Sequence, residues 1–354
     1  MEAQDLTAAR KDVLRRIGEL RRELGGRVVI LTHHYQRPEL VRAGDLKGDS
    51  FELSRQAARA DAEVIVFCGV HFMAEAAAIL CRDDQEVIMP DWSAGCPMAD
   101  MAPIELVEQA WQRILRAVGD EAEVMPLTYM NSAAAVKGFC GDRGGAVCTS
   151  SNAPRAMTWA FEQRPRVLFL PDQHLGRNTA RKLGVSAEQV VLYRPRQPDG
   201  GLSDEELRGA KVILWQGHCH VHTYFRPEHI EAARKAHPDA RVVVHPECRA
   251  EVVEAADGNG STSYLVKAVE EAAPGSKTII GTEINLITRL AEDYPDRTVL
   301  PLARSLCPNM FRIEPEDLRD ALERLDDWPR ITVAPAVASG ARLALDRMLG
   351  LPQG

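Results

Sequence analysis

Three stretches of this chain follow one plan, and a chain built that way is expected to fold as repeated units. Each stretch opens with a short apolar run that ends in polar, aromatic or titratable residues: Val28 to Tyr35, Val124 to Asn131, and Val242 to Cys248. The third reads Val-Val-Val-His-Pro-Glu-Cys. Its β-branched residues suit a buried strand, and Pro246 cannot donate to a sheet ladder, so the strand ends there. Counting forward from His33, Tyr129 and His245 reaches Ser50, Ser150 and Thr262 after 17, 21 and 17 residues. Each hydroxyl stands where a helix should begin: Phe51 to Ala60, Pro154 to Gln163, and Tyr264 to Ala273, with Glu52 spaced for a capping box on Asp49. The apolar runs Val64 to Gly69, Val167 to Asp172 and Thr278 to Glu283 come next. A last run, Glu86 to Asp91, Lys211 to Gln216 and Arg297 to Leu302, leads to Cys96, Cys219 and Cys307. One order used three times is a stronger signal than any single motif.

Strands alternating with helices predict an α/β fold with short parallel sheets. At 354 residues the chain is too long for one simple core. The spacing predicts an N-terminal helix in 1–26, with Ala8 to Leu24 periodic, then α/β repeats at 27–117, 118–237 and 238–325. Residues 326–354 supply a strand, Ile331 to Val333, and a helix, Ala338 to Leu349, that pack back on the core. Within the first repeat Gly95 and Pro97 bracket Cys96, and Pro97 is expected to start one helix from Met98 to Ala117. Phe139 to Gly145 reads as a surface loop, and Val190 to Gly209 as a loop with room for one short strand.

A net charge of -8 and the lack of a Lys/Arg cluster argue against nucleic acid as a partner. No run approaches 18 apolar residues, so no membrane span is expected, and the acidic start Met1 to Asp5 is unlike a signal peptide. The expected location is the cytoplasm, where thiols stay reduced and the eight cysteines serve as apolar fillers, nucleophiles or metal ligands.

The candidate chemistry lies just beyond the strands. His245 and Glu247 project from a strand's carboxyl end, where open parallel sheets bind ligands, and a His beside a Glu is an acid/base pair. Ordinary polar residues ending a strand fit that heptapeptide equally well. Asp172 and His174 follow another strand, and His71 follows a third. Cys96 at a helix start is placed to be a thiolate, the form that binds metal. Trp215 to His222 holds the densest set of ligand residues, Cys219, His218, His220 and His222. That set could suit zinc, though the usual paired spacing is absent. The hydroxyl-bearing helix starts suit phosphate or carboxylate through free amides and the helix dipole, and capping alone explains any one of them. Cys68 and Cys81 read as packing residues, and Cys140, Cys148 and Cys248 have no assigned role.

Taken together these residues resemble the quinolinate synthase family along almost the whole chain. The resemblance is carried by His33-His34-Tyr35, Gly48-Asp49-Ser50, Phe67 to Glu75, Ala94-Gly95-Cys96, Tyr129-Met130-Asn131, Cys148 to Asn152, Cys219 to His222, His245 to Cys248, Gly260 to Ser263, Gly281-Thr282-Glu283 and Cys307 to Met310. It implies three similar three-layer α/β domains around a pseudo-threefold axis, with the active site at their junction. It also implies a 4Fe-4S cluster held by Cys96, Cys219 and Cys307, leaving one iron open as a Lewis acid. The implied reaction condenses iminoaspartate with dihydroxyacetone phosphate, losing phosphate and two waters, to give quinolinate. Glu247 is then the general base, His245 and His33 bind substrate or relay protons, and Tyr35 assists the keto to aldo isomerisation. Tyr129 and Asn131 orient the intermediate, with Met130 and Pro246 beside them in the substrate site. Ser50, Ser150 and Thr262 hold the carboxylates and phosphate, and His222 lines the site. An L-aspartate oxidase or dehydrogenase is the expected functional partner that supplies the imine.

Departures from the family pattern are small. Thr32 and Met130 stand at variable positions, His34 is unusual, and the Gly138 to Gly145 loop is expected to be long. Cys307 lacks neighbouring cysteines, so no redox disulfide is expected there. Two rivals remain at this stage: a zinc hydrolase built on Cys219, His220 and His222, and a non-catalytic protein that binds a sugar phosphate or dicarboxylate at the helix starts.

Overall fold

The structure, a computed structural model, describes residues 3–351, and for residues 3–7 the backbone alone. The chain divides into two compact units. One takes the chain up to Cys96 with Glu283–Asp293 and Leu306–Val333; the other takes Pro97–Thr282, Tyr294–Ser305 and the chain from Ala334 onward.

The first unit is built on a parallel sheet of β1 (Val28–His33), β2 (Leu46–Gly48), β3 (Val64–Cys68) and β4 (Glu86–Ile88), in the order β2-β1-β3-β4. Val28 lies opposite Val64, and Leu31 opposite both Leu46 and Phe67. All five residues of β3 are buried. That is why the strand reads as a continuous apolar run: parallel sheets are covered on both faces. The N-terminal helix Ala3–Leu24 packs on Pro315–Glu323.

The second unit carries two sheets. One comprises β5 (Val124–Tyr129), β6 (Ala146–Cys148), β7 (Arg166–Leu170), β8 (Val190–Tyr193) and β9 (Val212–Trp215), ordered β6-β5-β7-β9-β8. The other comprises β10 (Arg241–Val244), β11 (Gly258–Asn259), β12 (Lys277–Gly281) and β13 (Thr298–Pro301), ordered β11-β10-β12-β13. All strand pairs in both are parallel. Val242, Val243 and Val244 are fully buried, each contributing roughly 1.5–3 kcal/mol of apolar burial.

The architecture is therefore α/β, with three parallel sheets of four, five and four strands. In each, the chain leaves the first strand to one side for a short edge strand and returns to the other side for the third. The strand order thus reverses at β1, β5 and β10, whose carboxyl ends carry His33, Tyr129 and His245. Such a reversal opens a crevice at that edge.

Several expectations change. The edge strands β2, β6 and β11 were not expected; at two or three residues they are too short to carry a period. The helix expected from Met98 to Ala117 is two, Pro97–Asp100 and Ile104–Val118, because Pro103 cannot continue the first and caps the second. Val190 to Gly209 contains β8 but also the helix Asp204–Gly209, begun by a capping box on Ser203. Ile331 to Val333 is not a strand: a single bridge joins Ile88 to Arg330, and Ile331 N donates to Val87 O at 2.8 Å.

The largest correction concerns Phe139 to Gly145. Ala134–Asp142 is a helix, buried over Val136–Gly141, and it lies along the C-terminal helix Pro335–Gly350. Gly138 and Gly141 read as loop formers but are contact points, met by Gly340 of the C-terminal helix. A side chain on Gly141 would collide with the Gly340 carbonyl, and one on Gly340 would lie 2.8 Å from Gly138 O. Glycine here lets two backbones touch. No described helix is long and apolar enough to cross a membrane.

Candidate active site

In the second unit the ends of β5 and β10 and the loop after β9 converge. The Tyr129 hydroxyl donates to Glu247 Oε1 at 2.6 Å, with both side chains buried. Burial first, and then the charge of Asp172, push the Glu247 carboxyl well above its usual range; hydrogen bonds from Tyr129 and Cys219 pull the other way. His245 Nδ1 lies 3.6 Å from Glu247 Oε1 and accepts the Glu247 amide at 3.4 Å. His222 stacks on His245 with ring centres 4.2 Å apart, and burial followed by His245 and His220 holds it well below the ordinary histidine range. Cys219 Sγ, a ring nitrogen of His222 and a Glu247 oxygen all lie within 4.8 Å of one another. His220, expected in a zinc set, is exposed and outside this group. Glu247 Oε2 and Asn131 Oδ1 are buried and make no hydrogen bond among the described residues. Two such orphaned acceptors are costly unless a ligand meets them.

The loop carrying Glu247 is pinned from outside. Asn178 Nδ2 donates to the carbonyls of Pro246 and Cys248 at 2.8 and 2.9 Å. Ser150, Asn178, Pro246 and Ser261 line a cavity of about 300 Å³. Thr262 is the first residue of the helix Thr262–Glu270, and its cap is Ser261, which accepts from Tyr264 N. Ser150 stands just before the helix Ala153–Gln163. Met130 is fully buried, its amide bonded to Cys148 O at 2.7 Å.

The first unit holds the other predicted residues. His33 Nδ1 accepts the Tyr35 amide at 3.1 Å, and the two rings meet edge-on at 4.8 Å. Burial lowers His33 to about 4 against the opposing pull of Asp49, so its ring is neutral at pH 7 with the proton on Nε2. Asp49 caps the helix Ser50–Ala57 in the expected box with Glu52, which makes Ser50 the first helical residue. His34 is buried, its Nδ1 3.1 Å from Arg289. His71 begins the helix His71–Leu80, with Nδ1 3.9 Å from Glu75 Oε1.

The cysteines fall into two groups. Cys68, Cys81, Cys140, Cys148 and Cys248 are buried, whereas Cys96, Cys219 and Cys307 are partly exposed. Burial pushes the Cys68 thiol up to about 12 and those of Cys140, Cys148 and Cys248 upward as well, which suits packing groups; it also raises Cys307, against the opposing pull of the Met310 and Asn309 amides. The three accessible thiols are the three at the repeated position. Cys219 and Cys307 each cap a short helix, and Cys96 directly precedes one. Thiolates are the ligands that iron–sulfur clusters take.

Two residues were missed as site residues. Asp172 and Glu283 are fully buried, and each accepts the amide of a repeat cysteine. Their signal was available: both lie two residues past the third strand of their repeat. The role of Asn178 had no local signal, since its partners lie 68 and 70 residues away.

Parallel sheets with a buried Tyr–Glu–His set beyond their carboxyl ends define an α/β protein equipped for acid–base chemistry. A family model described as quinolinate synthetase A protein matches residues 15–350. A quinolinate synthase of Herpetosiphon aurantiacus is 52% identical over 341 residues, covering 94% of this chain and 91% of the relative. One from Corynebacterium glutamicum is 51% identical over 350 residues, covering 97% and 89%, and one from Bacillus cereus strain Q1 is 46% identical over 349, covering 97% and 94%. The chain belongs to the quinolinate synthase family.

Proposed function

We propose that this protein condenses iminoaspartate with dihydroxyacetone phosphate, releasing phosphate and two waters, to give quinolinate, and that Cys96, Cys219 and Cys307 hold a 4Fe-4S cluster. The observation that carries this reading is the division of the eight cysteines: among them, the three at the repeated position are the partly exposed residues and the other five are buried. Family membership supports the product, and the Tyr129–Glu247–His245 set supports the proton chemistry. Held by those three cysteines, the cluster would supply a Lewis-acidic iron to the substrate.

The chain's own residues do the rest. Closing a pyridine ring from an imine and a ketose phosphate needs protons removed from carbon and delivered to leaving oxygens. Glu247 is the base: burial raises its proton affinity, which strengthens it as a base, and Tyr129 fixes its orientation. His245 is left with Nε2 to bind or protonate a substrate oxygen, because its Nδ1 faces Glu247 and accepts the Glu247 amide. His33 is a neutral donor at Nε2 for a substrate oxygen. Tyr35 lies against His33 and assists the keto to aldo isomerisation. Asn131 orients the intermediate, and Ser50, Ser150 and Thr262 bind the anionic groups at helix starts.

The test is direct. Anaerobic protein given dihydroxyacetone phosphate and freshly generated iminoaspartate should release quinolinate and phosphate in equal amounts. Binding of the ketose phosphate without either product would favour the binding-protein reading. A single zinc held by Cys219, His222 and Glu247 is a second reading, favoured by their mutual distances within 4.8 Å; zinc in stoichiometric amount without sulfide would select it.

A further inference from the structure

We infer that Asp172 and Glu283 are positioning residues for the cluster, each fixing one ligand cysteine through its backbone amide. This rests on the reading of Cys219 and Cys307 as cluster ligands.

The two carboxylates do the same work in different units of the molecule. Asp172 Oδ1 accepts Leu175 N at 2.6 Å, in the first turn of the helix Gln173–Lys182, and Asp172 Oδ2 accepts Cys219 N at 3.2 Å. Glu283 Oε2 accepts Asn285 N at 2.7 Å, in the first turn of Ile284–Asp293, and Glu283 Oε1 accepts Cys307 N at 3.3 Å. In both, one oxygen caps the helix after the third strand and the other holds a cysteine loop, and neither side chain is exposed. Capping alone would need one oxygen and no burial.

The first repeat lacks the device. Val70 stands at the corresponding place, two residues past β3. There the loop hangs from the helix itself: His71 N donates to Ala94 O at 2.9 Å, two residues before Cys96. The second repeat has this tether as well, Gln173 N to Gly217 O at 2.9 Å, two residues before Cys219. Each cysteine loop is thus tied to the start of a neighbouring helix, and two are tied by a carboxylate that grips the cysteine's own amide. An amide fixed this way cannot turn, so the Cα to Cβ direction and the reach of the thiol are set before metal arrives. Groups that orient ligands in this manner are worth about ten- to a hundredfold in metal affinity.

The geometry dictates the variant. An amide side chain has one acceptor oxygen where the carboxylate uses two, so Asp172→Asn and Glu283→Gln each force an N–H to face an N–H. The cluster-loaded protein and both variants are challenged with an iron chelator and a thiol-alkylating reagent together, and mass spectrometry follows which cysteine is modified first. Iron should leave about ten- to a hundredfold faster from each variant. Cys219 should be modified ahead of Cys96 and Cys307 in Asp172→Asn, and Cys307 ahead of the other two in Glu283→Gln. A general loss of stability speeds all three thiols alike and would overturn the inference, as would release at the parent rate. If one variant fails to fold, the other, in a separate unit, decides. A parent protein that carries no iron–sulfur cluster defeats the cluster reading itself, a distinct result.

Discussion

Replacing Gly141 with alanine puts two opposing effects in competition. Within a helix interior, Gly→Ala ordinarily stabilises by about 1 kcal/mol. At Gly141 the added carbon would collide with Gly340 O, lie 2.7 Å from Gly340 C and 3.1 Å from Ala344 N. All three are backbone atoms, so no side chain can rotate away and the helices Ala134–Asp142 and Pro335–Gly350 must separate. Overpacking of this kind costs roughly 1–3 kcal/mol, and the absence of a soft neighbour argues for the upper end. The net expectation is a loss of about 1–2 kcal/mol, seen as a fall in Tm of roughly 1–3 °C. Gly18 supplies the control. It also lies within a helix, but its added carbon would meet nothing nearer than Arg22 Nη1 at 3.8 Å, so Gly18→Ala should gain about 0.5–1 kcal/mol. Thermal melts of the two variants should shift in opposite directions. A Gly141→Ala protein as stable as its parent would refute the helix contact and restore the surface loop.

The other predictions concern the site. Glu247→Gln should abolish quinolinate formation while iron content stays at the parent level; retained turnover removes Glu247 as the base. Tyr129→Phe deletes the donor 2.6 Å from Glu247 Oε1, a charge-assisted bond worth about 1.5–3 kcal/mol. Its loss raises the carboxyl further, so less of the base is ionised at neutral pH: kcat/KM should fall roughly ten- to a hundredfold there and recover as pH rises. An equal loss at every pH assigns Tyr129 to substrate binding alone. Asn178→Ala frees the carbonyls of Pro246 and Cys248, and should lower kcat more than it raises KM, with iron unchanged; full activity would show that the Glu247 loop holds itself.

Much of this was readable in the sequence because the chain states it three times. Val28–His33, Val124–Tyr129 and Arg241–Val244 are strands, recognisable from apolar runs that parallel burial requires on both faces. Asp49 and Glu52 form their box because three-residue spacing suffices to define one. What stayed hidden depended on partners distant in the chain. The edge strands exist only through pairing with β1, β5 and β10, since Leu46–Gly48 and Gly258–Asn259 have no pattern of their own. Gly138 and Gly141 signalled a loop because local composition cannot show that Gly340 lies against them. Asp172 reads in the sequence as an acid past a strand, yet its second oxygen accepts from an amide 47 residues away. The repeat showed where Cys96, Cys219 and Cys307 belong; their exposure, and the burial of the other five, could come only from packing.

The central claim is that three thiols of one chain share an iron–sulfur cluster. Protein purified without air should contain iron and sulfide in the amounts one 4Fe-4S cluster requires, and the iron should collapse in each of Cys96→Ser, Cys219→Ser and Cys307→Ser but persist in Cys140→Ser. Stoichiometric zinc without sulfide, or a full complement of iron in any of the three variants, would contradict it.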